Sequence, residues 1–161
     1  MRKLSIIIST VFLAFIALII FINIKTSDTI ISKQFNEDTI IKSATVTKYA
    51  PSEDGNRFDA KIAEGSTEDV ELIKEMVENF SGLWLRREAN PTDRWLGEYS
   101  ISVQVSNEKS PGVLKTDSLY INFDDSNRII ISSENSGHYY VLNSHDYYEK
   151  MENIIGNLEL E

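Results

Sequence analysis

Leu4 to Ile24 is the longest apolar run in the chain, 21 residues without a charge and broken only by Ser5, Ser9, Thr10 and Asn23. A helix rising about 1.5 Å per residue covers roughly 30 Å over that length, the depth of a bilayer's hydrocarbon core. The run is apolar on every face, so it predicts a membrane helix rather than an exposed soluble one. The pattern then changes. Residues 28–37 are polar, follow no period and read as a tether. Beyond them Thr39–Ala50, rich in Ile, Thr and Val, and the alternating Phe58–Ile62 flank Pro51-Ser52-Glu53-Asp54-Gly55-Asn56, which predicts a β-hairpin with a long loop.

A helical period follows. Val70, Ile73, Val77 and Phe80, broadened by Met76, form one apolar stripe; Ser66 or Thr67 is the expected cap and Gly82 the stop. Leu83-Trp84-Leu85-Arg86-Arg87 is a candidate short strand, and Ala89–Asp93 a loop. Alternation then becomes strict, with Tyr99, Ile101, Val103 and Val105 on one face and Ser100, Ser102, Gln104 and Ser106 on the other. Asn107–Asp117 reads as a flexible connection. Leu119–Phe123, Arg128–Ser132 and His138–Leu142 complete a four-strand antiparallel meander. Asn143 or Ser144 is positioned to cap a last helix, whose apolar face is Tyr147 or Tyr148, Met151, Ile154, Ile155 and Leu158. The expected fold class is α+β: an N-terminal transmembrane helix, then an antiparallel sheet of hairpin plus four-strand meander with two helices over one face. The expected domains are an anchor at 1–27, a tether at 28–37 and a folded domain at 38–161.

Charge sharpens this picture. The 161 residues carry a formal net charge of −9, yet Arg2, Lys3 and Lys25 are the only charges before Asp28, so the remainder stands at −12. Such a domain repels phosphate backbones, and nucleic acid is not an expected partner. Arg2 and Lys3 before an apolar run resemble a signal peptide, but the run exceeds the usual ~7–15 residue core and no small-x-small cleavage site follows. An uncleaved signal-anchor is the better reading. Lys25, Lys33 and Lys42 nearly balance the N-terminal positives; the signal-like layout places the domain outside the cytoplasm, in a single-pass cell-membrane protein.

Chemistry is thinly represented. The absence of cysteine removes disulfides, thiol catalysis, thiolate metal sites and lipid attachment through sulfur. No G-x-S-x-G elbow and no phosphate-binding glycine loop occurs. His138 and His145 lack metal-ligand spacing, and Asp124-Asp125-Ser126-Asn127 lacks the glycine and bidentate glutamate of a calcium loop. No cofactor, metal or catalytic residue is expected. One cluster contrasts with its acidic surroundings: Trp84, Arg86, Arg87, Arg94 and Trp95 bring both tryptophans and half of the six arginines into twelve residues. Indole and guanidinium groups anchor recognition surfaces, so this cluster is the candidate interaction patch.

The layout also resembles a known group. The helix segment Thr67-Glu68-Asp69-Val70-Glu71-Leu72-Ile73-Lys74, the strand Gly137-His138-Tyr139-Tyr140-Val141-Leu142 and a closing helix with Tyr147-Tyr148 follow an N-terminal membrane segment. Over roughly residues 38–158 this is similar to small membrane-anchored or lipoprotein-like extracytoplasmic domains of unknown function in Gram-positive bacteria. The chain departs from the lipoprotein members in having no cysteine, so a helix would replace the lipid. The resemblance implies an extracytoplasmic place and supplies no activity. Binding, as an accessory or inhibitor-like module for another envelope protein, is the expected function. A small-ligand or ion sensor and a carboxylate-based envelope hydrolase are the alternatives.

Overall fold

The computed structural model describes residues 9–13, 15, 23–51, 58–88, 97–132, 137–143, 146–158 and 160–161. The fold class is α+β. Strands β1 (Ile24–Thr26), β2 (Ile40–Pro51), β3 (Phe58–Thr67), β4 (Trp84–Arg87), β5 (Tyr99–Ser110), β6 (Val113–Phe123), β7 (Arg128–Ser132) and β8 (Gly137–Val141) form one sheet in the order β1-β4-β8-β7-β6-β5-β2-β3. Every neighbouring pair is antiparallel. Helices α1 (Ser27–Ile31), α2 (Val70–Glu78) and α3 (Tyr147–Ile155) interleave with the strands.

The strict alternation of β5 holds: Tyr99, Ile101, Val103 and Val105 are buried, and Ile101 faces Val46 on β2 and Ile121 on β6. These side chains share one core cluster with Ile73, Met76, Val77 and Phe80 of the α2 region and with Tyr147, Met151, Ile154 and Ile155 of α3. The helices therefore cover one face of the sheet. Two of the predicted caps move. Ser66 and Thr67 stay in β3, paired with Thr45 and Ala44, because the ladder to β2 continues to that point. Asp69 caps α2 instead, its Oδ1 accepting the N–H groups of Glu71 and Leu72 at 3.0 and 3.3 Å. Of the two residues expected to cap α3, Ser144 lies outside the described residues and Asn143 does not cap it; Asp146 stands at the helix start. Asn143 accepts the N–H of Trp84 at 2.6 Å and donates to the carbonyl of Gly82, tying the start of β4 in place.

The sheet is larger than the predicted hairpin and meander. Asn107–Asp117 is not a flexible connection, since β5 and β6 pair out to Ser110 and Val113 around Pro111-Gly112. Gly112 has φ +78, the conformation that a Pro-Gly turn needs at its second position. Asp124-Asp125-Ser126-Asn127 is a self-closed turn in which the Asp124 carboxylate accepts the Ser126 N–H at 2.8 Å. At the other end, residues 28–37 are not a simple polar tether. Thr26 caps α1, and Ile30, Ile31 and Gln34 are buried. Ser27 exchanges hydrogen bonds with Leu83, and Ile30 and Ile31 join the main core.

Ile24, read as the last residue of the apolar span, belongs to the sheet: it stands opposite Arg86, with Thr26 opposite Trp84. No helix among the described residues is long and apolar enough to cross a membrane. Of the predicted span, residues 4–8, 14 and 16–22 lie outside the described residues. Residues 9–13 and 15 are helical, with Val11, Phe12, Leu13 and Phe15 exposed by 59–65%.

Candidate interaction face

The candidate patch rests on β4. Leu85 is fully buried and faces Val141, so its neighbours Trp84 and Arg86 turn to the face away from the helices. Trp84 is 55% exposed. The Arg86 guanidinium lies 5.6 Å from the centre of the Tyr140 ring, within cation–π range. Tyr140 donates to the Glu88 carboxylate at 3.2 Å and stands opposite Arg128 on β7. Ile24, Arg86, Tyr140 and Arg128 consequently form one row across four strands. A second row runs from Thr26 through Trp84 to the exposed Leu142, whose N–H donates to the Trp84 carbonyl at 2.9 Å.

The structure brings together part of the sequence cluster. Arg87 is exposed but takes the opposite alternation, in register with Tyr139. Burial raises the Tyr139 pKa, and the nearby Arg87 charge opposes that rise. Arg94 and Trp95 lie outside the described residues. Tyr140, Arg128 and Leu142 are additions from β7 and the β8 region. The inward set Gly137, Tyr139 and Val141 already implies that Tyr140 turns outward. What composition could not supply is the β4-β8-β7 order. His138 shares this face, opposite Ile130, and its Nδ1 is buried without a hydrogen-bond partner among the described residues.

A second polar group sits where α3 meets the ends of β2 and β5. Lys48 Nζ donates to the Tyr99 hydroxyl at 2.8 Å and pairs with Glu98 at 3.2 Å. Tyr148 donates to Glu98 at 2.5 Å, and Tyr99 to Glu152 at 3.2 Å. Burial, and then the hydrogen bond to Glu98, pushes the Tyr148 pKa far up; burial also raises Tyr99, and burial together with the negative charges of Asp124 and Asp125 raises Tyr147. The Lys48 pKa is raised, first by its bond to Tyr99. This group works as a lock between helix and sheet.

The lock has a pH signature. A folded pKa above the unfolded one gives stability that is present below the unfolded value and lost as pH rises past it. Unfolding midpoints in urea are therefore expected to hold through neutral pH and to fall above about pH 10, the ordinary tyrosine range. Tyr148→Phe should fall less steeply; an identical slope would show that Tyr148 is not one of the groups responsible.

Open depressions occur elsewhere. One of about 660 Å³ is lined by Asp38, Ile40, Asn107 and Leu114, and one of about 510 Å³ by Phe35, Ile41 and Val77 among others. No group of three or more His, Asp or Glu is placed to hold a metal among the described residues. Comparison of the chain with protein-family models, with curated proteins and with solved structures finds no match.

Proposed function

We propose that the chain is a single-pass, membrane-anchored protein of the cell envelope whose acidic domain stands outside the cytoplasm and acts by binding, as an accessory or inhibitor-like module. The observation that carries the binding role is the contrast on β4: an exposed Trp84 beside an Arg86–Tyr140–Arg128 row, on a domain with net charge −12. Such a surface suits an anionic partner, because guanidinium groups meet carboxylate or phosphate with paired donors and indole adds area at small entropic cost. Anchoring is supported by Val11, Phe12, Leu13 and Phe15, which are helical and exposed within the longest uncharged run of the chain. Large apolar side chains left open in this way call for a covering phase.

The test is photo-cross-linking in cells from an aromatic ketone side chain placed at Leu142 of the full chain. A discrete adduct, to protein or to lipid, is expected. Removing a recognition hot spot costs about 2 kcal/mol or more, so Trp84→Ala with Arg86→Ala should cut the adduct by roughly thirtyfold. An adduct of equal yield in that variant would contradict the assignment of the patch.

A further inference from the structure

Ile24, the last residue of the apolar run, is also the first residue of β1, so no slack separates the proposed anchor from the sheet. The strand it enters is the neighbour of β4, and Ile24 and Thr26 stand directly opposite Arg86 and Trp84. Facing residues in an antiparallel pair lie about 5 Å apart. The aromatic and arginine-bearing face therefore begins at the root of the anchor.

We infer that this face rests on the membrane itself, with Arg86 and Arg128 against anionic phospholipid headgroups and Trp84, Tyr140 and Leu142 at the boundary with the acyl chains. The inference rests on the anchored reading and names the partner of the same patch. Three observations carry it. The first is position: the exit of the apolar segment is fixed to the patch by backbone pairing. The second is residue type. Trp and Tyr concentrate at membrane interfaces because an apolar ring there keeps one polar edge in water, while Arg and Lys reach for phosphate. Trp84 is 55% exposed and Leu142 44%, and Arg86 is exposed beside them on the same face.

The third observation is the distribution of charge. Residues 28–161 sum to −12, yet Arg86 and Arg128 share one row of this face with Tyr140, while Lys25 and Arg87 flank that row on the opposite alternation of the same sheet edge. An acidic body is repelled by an anionic leaflet, whereas a basic edge at the anchor is drawn to it. Both forces turn the domain the same way, with the patch down and the acidic remainder toward solvent. The face acts as a foot that fixes the height and orientation of the domain.

The absence of native cysteine gives a clean test. Full chains carrying one cysteine each, as Leu142→Cys, Leu114→Cys or Phe15→Cys, are labelled with an environment-sensitive fluorophore. They are then reconstituted into vesicles of phosphatidylcholine with about a quarter phosphatidylglycerol, an anionic lipid. Leu114 is somewhat more open than Leu142, at 56%, but lies at the far end of the β5–β6 hairpin. Headgroup nitroxide lipid should quench the probe at 142 and leave 114 to aqueous iodide. Each arginine near an anionic surface is worth about a fivefold bias, so Arg86→Ala with Arg128→Ala should lower the docked-to-free ratio about 25-fold. Vesicles of phosphatidylcholine alone should show the same loss.

Other outcomes overturn the proposal separably. If Phe15 is quenched by lipid but 142 is as open to iodide as 114, the anchor stands. The foot is then wrong, and the face is left to a protein partner. If Phe15 is not reached by lipid quenchers, anchoring fails and the foot falls with it. Docking that is equal on neutral and anionic vesicles would contradict the role given to the arginines.

Discussion

Gly97→Ala is expected to destabilise the domain by about 3–5 kcal/mol, a large share of the 5–15 kcal/mol typical of folded proteins. Two independent costs meet at this residue. Gly97 has φ +74, where an L side chain costs roughly 1–2 kcal/mol. A Cβ there would also lie 2.6 Å from the carbonyl oxygen and 2.7 Å from the nitrogen of Phe123. Those are backbone atoms of a paired strand, held by the Tyr99–Phe123 register, and cannot swing away as a side chain end would. Gly112→Ala is the control. Its φ is +78, but nothing lies within 4 Å of the added carbon, so only the conformational cost of roughly 1–2 kcal/mol applies. Urea midpoints for the two variants measure the difference. Equal losses would mean that the turn into β5 does not press on Phe123 as described.

Phe123→Ala should cost a similar amount, about 3–5 kcal/mol, from lost burial and the cavity left behind. The ring is fully buried, with ring-centre distances of 5.3 Å to Phe80, 5.5 Å to Tyr99, 6.3 Å to Tyr147 and 6.2 Å to Tyr148. It joins β5, α3 and the residues after α2 in one aromatic cluster. Because the partners touch, the effects of Phe80→Ala and Phe123→Ala should not add, and a double-mutant cycle should give a coupling of at least about 0.5 kcal/mol. Strict additivity would contradict the edge-to-face contact between them.

Much of this architecture was legible in local pattern. The period of two from Tyr99 to Val105 and the helical stripe Ile73, Met76, Val77 and Phe80 both mark residues that the structure buries. What escaped was decided at longer range. Strand β1 has three residues and exists because β4 pairs with it, so Ile24–Thr26 has no periodic signature of its own. Ser66 and Thr67 are good capping residues, but pairing with β2 holds them in a strand and leaves the cap to Asp69. α1 looked like tether because five residues are too few to show a helical period, although Ile30 and Ile31 were there to be buried. The interaction face divides in the same way. Trp84 and Arg86 stood out by composition, whereas Tyr140, Arg128 and Leu142 joined them only when the sheet order placed β8 and β7 beside β4.

Protease treatment of intact cells decides whether the proposed anchored domain stands outside the cytoplasm. The full chain would carry a C-terminal epitope, with one cytosolic protein and one exported protein as controls. Loss of the epitope while the cytosolic control survives is the predicted result. An intact epitope beside a digested exported control would contradict the account and turn the domain toward the cytoplasm.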